Sequence, residues 1–99
     1  MANEIFVDLA EIPDGGAKIV EIHKRFRIAL FRVGDRVAAV NNRCPHESAS
    51  LGDGVFDGFT VVCPAHDYRF NVWNGAGYKF LKTYPTEVID QRVRITLPD

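Results

Sequence analysis

The chain has 99 residues, a formal net charge of −1 and 46% hydrophobic residues, which are ordinary values for a water-soluble globular protein. We therefore expect a single domain over residues 1–99. The absence of a basic excess argues against a nucleic-acid partner, and no apolar run approaches the ~18 residues that a membrane-spanning helix needs.

The first residues bear on the compartment in which the protein works. Met1–Glu4 is acidic, and it leads into alternating apolar residues without the basic start or apolar core of a secretory signal. The two cysteines both belong to motifs described below, so no structural disulfide is expected if both bind metal. Both observations favour a cytoplasmic protein.

Short apolar alternations separated by turn residues predict an all-β fold with antiparallel pairing. Strands are predicted around residues 5–9, 17–23, 26–30, 36–40, 55–56, 59–62, 70–73 and 93–97. Hairpin turns are predicted at Gly34–Asp35, Asp57–Gly58 and Asn74–Gly75. No segment shows a long helical period, and Asp8–Ile12 is expected to make a single turn at most.

Two short segments each combine a cysteine with a histidine. The first arm is Cys44-Pro45-His46, and the second arm is Cys63-Pro64-Ala65-His66. Sixteen residues, 47–62, separate the arms, so the pattern is C-x-H, sixteen residues, C-x-x-H. Thiolates and imidazoles are ligands for soft and borderline metals. Because the Asp57–Gly58 hairpin joins the arms, we expect them to meet as two loops at the tip of a small β domain.

Other uses of these four residues are possible from the ligand types alone. A structural zinc site takes the same ligands, although zinc sites normally pair cysteine with cysteine and histidine with histidine. A zinc-stabilised interaction module therefore stays as an alternative. A catalytic Cys–His dyad would leave the second pair, Pro45 and Pro64 unexplained. His23, the third histidine, is given no role.

The arms and their surroundings resemble those of the Rieske proteins, in particular the small ferredoxins of bacterial ring-hydroxylating dioxygenase systems. The resemblance includes both arm prolines, the segments Asp8–Pro13 and Thr83–Pro85, and the single residues Ala49, Leu51, Gly54, Tyr68 and Phe70. It implies an antiparallel β sandwich that carries a small cluster-binding subdomain made of two loops. It also implies a [2Fe–2S] cluster with Cys44 and Cys63 on one iron and His46 and His66 on the other.

The resemblance further implies an electron carrier and not an enzyme. Such a protein passes electrons from an NAD(P)H-dependent flavoprotein reductase to a terminal oxygenase that hydroxylates aromatic rings. The alternative within the same family is the Rieske-like small subunit of an NAD(P)H nitrite reductase. That alternative predicts an exposed, contiguous apolar patch away from the arms, where a large catalytic subunit would sit.

Residues next to the ligands predict a low reduction potential. High-potential Rieske domains carry a disulfide between the arms, and a serine and a tyrosine that hydrogen-bond the cluster. Here no further cysteine is present, and Tyr68 and Phe70 occupy the serine and tyrosine positions. Fewer donors stabilise the reduced state less, so we expect a potential of about −150 mV.

Several positions depart from the ferredoxin pattern. Asp67 stands where glycine is usual, and aspartate tolerates the left-handed backbone conformation better than most residues. Glu47-Ser48 follows the first histidine, and Tyr78-Lys79-Phe80 replaces a longer proline-containing loop. Trp73 is interpreted as a core residue. Acidic side chains are expected to form a docking rim for basic partners, namely Glu47, Asp53, Asp57 and Asp67.

Overall fold

The computed structural model describes residues 3–45, 49–65, 67–77 and 79–98. In these ranges the strands are β1 (Asn3–Asp8), β2 (Ala17–His23), β3 (Phe26–Val33), β4 (Arg36–Asn41), β5 (Val55–Phe56), β6 (Thr60–Val62), β7 (Arg69–Asn71), β8 (Thr83–Tyr84), β9 (Thr86–Ile89) and β10 (Arg92–Leu97). Short 3₁₀ turns cover Leu9–Glu11 and Leu51–Asp53. None of the helical segments in the described ranges is long and apolar enough to cross a membrane.

The strands form three sheets in the described part of the chain, and every pairing in them is antiparallel. Their strand orders are β1-β10-β9, β2-β3-β4-β8 and β5-β6-β7. The hairpins predicted at Gly34–Asp35 and Asp57–Gly58 join β3 to β4 and β5 to β6. The structure therefore confirms the predicted all-β class, its antiparallel pairing and these two turns.

The middle sheet, β2-β3-β4-β8, is covered on both faces. Ile28 and Leu30 of β3 belong to a first core, which includes Val93 and Ile95 of the β1-β10-β9 sheet. The neighbouring β3 residues point the other way, into a second core, whose fully buried members include Ala29, Phe31, Leu51, Val61 and Phe70. An antiparallel sheet commonly leaves one face in water, and such a sheet alternates apolar with polar residues. Burial on both faces explains why Ile28–Phe31 is an unbroken apolar run.

The layer that carries the arms is an insertion between two neighbouring strands. β4 and β8 pair with each other through Val40 and Thr83, although residues 41–82 separate these two in the chain. The N–H of Asn41 donates to the carbonyl of Lys82 at 2.9 Å, which ties the two ends of the insertion together. Both arms therefore lie on a segment that leaves the middle sheet and returns to the adjacent strand.

β8 and β9 were not predicted from the sequence. Pro85 separates them, and proline lacks the N–H that would continue a ladder. At this residue the chain crosses from the middle sheet to the β1-β10-β9 sheet. The Thr86 hydroxyl donates to the carbonyl of Val37 at 2.6 Å, and the N–H of Thr96 donates to the carbonyl of Pro85 at 3.0 Å, so both sheets are bound to the crossing point.

The turn at Asn74–Gly75 differs from the predicted hairpin. Gly75 does have a positive φ, +78°, and the chain does reverse direction. It returns, however, to a single bridge between Phe70 and Gly77 instead of a full partner strand. The Asn71 side chain accepts hydrogen bonds from the N–H groups of Trp73 and Asn74 at 2.8 and 3.2 Å. This capping tightens the turn and ends β7 early.

Candidate metal centre

The two cysteines of the arms are both buried in the second core. Cys44 follows β4 and is 1% exposed, and Cys63 follows β6 and is 0% exposed. Leu51, Val61 and Phe70 belong to the same core and are fully buried. The structure thus buries both cysteines in the same core, largely shielded from solvent.

Each arm is closed at its base by the same kind of hydrogen bond. The N–H of Cys44 donates to the carbonyl of Ala49 at 3.0 Å, and the N–H of Cys63 donates to the carbonyl of Tyr68 at 2.7 Å. In both cases the bond joins a cysteine to the residue five positions later. Because these bonds begin at the cysteines themselves, they fix the backbone from which both sulfur atoms project.

The residue that follows the second arm has left-handed backbone geometry. Asp67 has φ +59°, and its N–H donates to the carbonyl of Cys63 at 3.1 Å. This confirms that the aspartate takes the conformation for which glycine is usual. The turn therefore has left-handed backbone geometry at this position even though the residue is aspartate and not glycine.

The first arm rests on Asn42, a residue that sequence reasoning missed. Its side chain is 5% exposed, donates to the Ser50 hydroxyl at 2.9 Å and accepts from the N–H of Gly52 at 2.7 Å. The Asn42 carbonyl accepts from the N–H of Leu51 at 2.8 Å. Asn42 could have been identified from the sequence as a polar residue that follows an apolar strand and lies two positions before Cys44.

Gly54 shows how closely the two arms are packed together. A side chain at this position would overlap the carbonyl oxygen of Val62, the residue immediately before Cys63. The segment that leaves the first arm therefore contacts the strand that leads into the second arm. This contact gives a physical reason for the glycine that formed part of the family resemblance.

The predicted histidine ligands, His46 and His66, lie outside the described residues, as do Glu47, Ser48 and Tyr78. Within the described residues, no group of three or more potential metal-binding side chains is found. The donor chemistry nevertheless fits a Rieske cluster. Two buried sulfur atoms come from tied loops that each carry a histidine in the sequence, and these provide the two thiolates and two imidazoles such a cluster takes.

The acidic rim expected from the sequence is only partly placed near the arms. Asp53 and Asp67 are exposed. Asp57 lies at the tip of the β5–β6 hairpin, at the far end of β6 from Cys63. Its carboxylate accepts from the N–H groups of Thr60 and Phe59 at 2.8 and 2.9 Å, and these bonds hold its pKa below the ordinary 3.8. Asp57 therefore stabilises a turn and does not belong to a rim around the arms.

Trp73 packs against the second core, as its interpretation as a core residue requires. Its Nε1 donates to the carbonyl of Gly58 at 2.9 Å, and the Arg36 guanidinium lies 4.6 Å from the ring centroid. His23 is exposed at the end of β2, with its ring centroid 5.5 Å from that of Phe26. Nothing in these contacts gives His23 a part in the metal site.

Comparison with known proteins gives a family match over most of the chain. The Rieske [2Fe–2S] domain family model matches residues 6–89. The ferredoxin component of a naphthalene 1,2-dioxygenase system from Pseudomonas aeruginosa is 35% identical in an alignment that covers 92% of this chain and 91% of that protein. A 3-phenylpropionate/cinnamic acid dioxygenase ferredoxin subunit from Photorhabdus laumondii is 38% identical in an alignment that covers 98% of this chain and 97% of that protein.

Solved structures also match this chain over nearly its whole length. Sphingomonas yanoikuyae B1 ferredoxin has a TM-score of 0.84 at 32% identity, covering 97% of this chain and 100% of that one. A chain in the complex of reduced oxygenase and oxidized ferredoxin of carbazole 1,9a-dioxygenase has a TM-score of 0.82 at 29% identity, covering 94% of this chain and 94% of that one. A putative NADH-dependent nitrite reductase small subunit from Mycobacterium tuberculosis has a TM-score of 0.84 at 21% identity, covering 100% of this chain and 98% of that one. At that identity the likeness shows the fold alone.

Proposed function

Because the chain belongs to the Rieske [2Fe–2S] domain family, we propose that Cys44 and Cys63 bind one iron of its cluster and His46 and His66 bind the other. Its relatives are ferredoxin components, and the chain is an electron carrier with a Rieske-type [2Fe–2S] cluster and not an enzyme. When bound, that group takes up and releases one electron. The family match favours this function over a zinc-stabilised module.

The protein's own residues supply the position and the charge of the site. The hydrogen bonds from the N–H groups of Cys44 and Cys63 hold both sulfur-bearing residues in the buried second core. His46 and His66 contribute neutral imidazoles in place of two anionic thiolates, which lowers the negative charge of the site and favours uptake of an electron.

The proposed electron donor is an NAD(P)H-dependent flavoprotein reductase, and the proposed acceptor is a terminal oxygenase acting on aromatic compounds. The support is the full-length similarity to ferredoxin components of naphthalene and phenylpropionate/cinnamic acid dioxygenase systems, together with the similarity to a ferredoxin-oxygenase complex. The cytoplasm is the proposed compartment. A nitrite reductase subunit gains no comparable support, since that likeness is one of fold.

A ligand test compares Cys63→Ser and His66→Ala with His23→Ala. We expect the two arm variants to lose the visible absorption and the dithionite-dependent spin-resonance signal of the wild type, because each removes a ligand. The control removes the exposed histidine at the end of β2, and we expect it to keep both signals. A colourless wild type that binds zinc without acid-labile sulfide would contradict the cluster assignment.

The electron-carrier role is tested by redox titration and by transfer to a partner. We expect a midpoint of about −150 mV, the low end of the Rieske range. The reduced protein is then mixed anaerobically with the oxidised terminal oxygenase of a naphthalene 1,2-dioxygenase system, and its visible spectrum should return to the oxidised form. A clearly positive midpoint would be incompatible with the low-potential site.

A further inference from the structure

A groove of about 450 Å³ opens beside the first arm, between the β2–β3 turn and the end of β4. Among the described residues that line it, four are cationic, namely Lys24, Arg25, Arg27 and Arg43, and none is acidic. The chain as a whole carries a formal charge of −1. Positive charge is therefore concentrated here, on a surface for which the sequence had suggested an acidic rim.

Most of this charge has no counter-charge in the part of the chain that the structure describes. Arg27 pairs with Glu21 at 3.3 Å, with side chains 58% and 59% exposed. Such an exposed pair contributes about 0–1 kcal/mol, so another carboxylate can replace Glu21 at little cost. Lys24, Arg25 and Arg43 make no ion pair with a described acidic residue. Among the described residues, these three cations have no acidic partner that an anionic ligand would have to displace.

The floor of the groove is already ordered. Asn42 holds Ser50 and Gly52 through its side chain, and its N–H donates to the carbonyl of Arg27 at 3.0 Å. The N–H of Arg43 donates to the side chain of Asn41 at 2.9 Å. Because the floor is held by these bonds, a ligand does not have to order this backbone when it binds.

The groove adjoins the first arm on both sides in the sequence. Arg43 immediately precedes Cys44, and Ala49, which also lines the groove, accepts the hydrogen bond that closes the base of the arm. A macromolecule seated in the groove therefore contacts residues directly before and shortly after the first arm. Electron transfer needs this kind of close approach, so the position suits a redox partner.

We propose that this basic groove docks a carboxylate-rich surface of the protein that exchanges electrons with this chain. The proposal rests on the proposed function, since it identifies the chemistry of that partner. A protein surface fits better than a nucleic acid, because the described lining residues include no aromatic side chain on which bases stack. The N–H groups of Asn42 and Arg43 already donate within the chain, so they add no backbone donors for a phosphate group.

The test uses the cluster-loaded protein and a fluorescein-labelled oligoglutamate peptide as the probe. Lys24→Glu/Arg25→Glu reverses two groove charges in a surface turn. Arg69→Glu/Lys79→Glu makes the same change in charge at exposed positions outside the groove. We expect the groove variant to bind the peptide about tenfold more weakly than wild type, and the control to differ by less than about twofold. An equal loss of peptide affinity in both variants would show that net charge alone causes the effect, and it would overturn the proposal.

Two further measurements keep the outcomes distinct. Short duplex DNA that binds more tightly than oligoglutamate, and is displaced from the same groove, would overturn the choice of a protein partner. The visible spectrum before and after dithionite is recorded for every variant. Loss of a reducible spectrum in the wild type would refute the electron-carrier function. A reducible wild type whose peptide affinity is unchanged by Lys24→Glu/Arg25→Glu would refute the groove alone.

Discussion

Asp67 illustrates what a single position reveals at the residue scale. Its left-handed φ of +59° was expected from the sequence, because the family places glycine there and aspartate is one of the few residues that tolerates the same conformation. The role of Asn42 was not predicted. Its partners Ser50 and Gly52 lie eight and ten positions later, and only the folded first arm brings them to its side chain.

The left-handed backbone at Asp67 gives a stability prediction. Asp67→Ala is expected to lower the free energy of unfolding by about 1–2 kcal/mol, since alanine lacks the polar side chain that eases this conformation. Asp67→Gly is expected to be at least as stable as the wild type, and Asp67→Asn close to it. Urea unfolding of the holo-protein measures all three. Asp53→Ala is the control, and an equal loss in Asp53→Ala and Asp67→Ala would contradict the backbone argument.

At the scale of elements, some turns and strands can be predicted from their own residues, and others form only through contacts in the folded protein. The β5–β6 hairpin was predicted from Asp57–Gly58, and the bonds that form it are local, from residues 59 and 60 to the Asp57 carboxylate. β8 was missed because it has only two residues, ends just before Pro85 and pairs with β4, which is distant in the chain. β9 was missed because it forms a hairpin with β10 through Asp90 and Gln91, a turn with positive φ that lacks the glycine that marked the other turns.

The Asp57 turn predicts a specific pH dependence. Hydrogen bonds from Thr60 and Phe59 lower the Asp57 pKa below 3.8 in the folded protein. The folded state thus binds this proton less readily than the unfolded state, so the carboxylate stabilises the fold above pH 3.8 and this stabilisation is lost as the pH falls through the lowered pKa. We expect Asp57→Ala to be less stable than wild type at neutral pH, with a difference that shrinks in acid.

The measurement is denaturant unfolding of both proteins across a pH series from neutral to strongly acidic. Asp57→Asn is the matched control, because asparagine keeps an acceptor oxygen but does not titrate in this range. Its stability difference from Asp57→Ala should therefore stay constant with pH. A gap between the wild type and Asp57→Ala that persists unchanged in strong acid would show that the charged form of Asp57 does not contribute.

At the scale of the whole molecule, the middle sheet belongs to two cores at once. In the sequence, Phe26, Ile28 and Leu30 alternate with Arg27 and Ala29, a pattern that predicts one buried face, and this face packs in the first core. The same pattern set Ala29 on the opposite, polar side, but Ala29 is fully buried with Phe31 in the second core. Sequence periodicity does not show that a segment beginning after β4 folds back to cover this face, because the contacts that do so are distant in the chain.

The shared sheet allows the two cores to be perturbed separately from adjacent positions. Phe31→Ala and Leu30→Ala are each expected to cost about 2–5 kcal/mol, because both side chains are fully buried. Only Phe31→Ala removes packing from the core that holds Cys44 and Cys63, including the contact with Phe56 at a centroid distance of 4.8 Å. We therefore expect faster cluster loss in Phe31→Ala, measured as decay of visible absorption under chelation.

The milder pair Phe31→Leu and Leu30→Val repeats the comparison where either alanine variant fails to fold. The ratio of cluster-loss rates is the informative quantity, and it is compared at denaturant concentrations that give equal folded fractions. Equal rates for the two positions would mean that the second core does not retain the cluster independently of global stability.

The connection between β4 and β8 has a consequence for protein engineering. Since Asn41 and Lys82 are hydrogen-bonded neighbours, the whole metal-bearing segment can be cut at two adjacent points and replaced by a tight turn. The shortened protein would still connect its strands, but it would expose Phe31, Ala38 and Val40, which that segment now covers. A sandwich trimmed in this way would resist aggregation only if those three positions were made polar. A transplanted metal segment would likewise need an apolar sheet on which to rest.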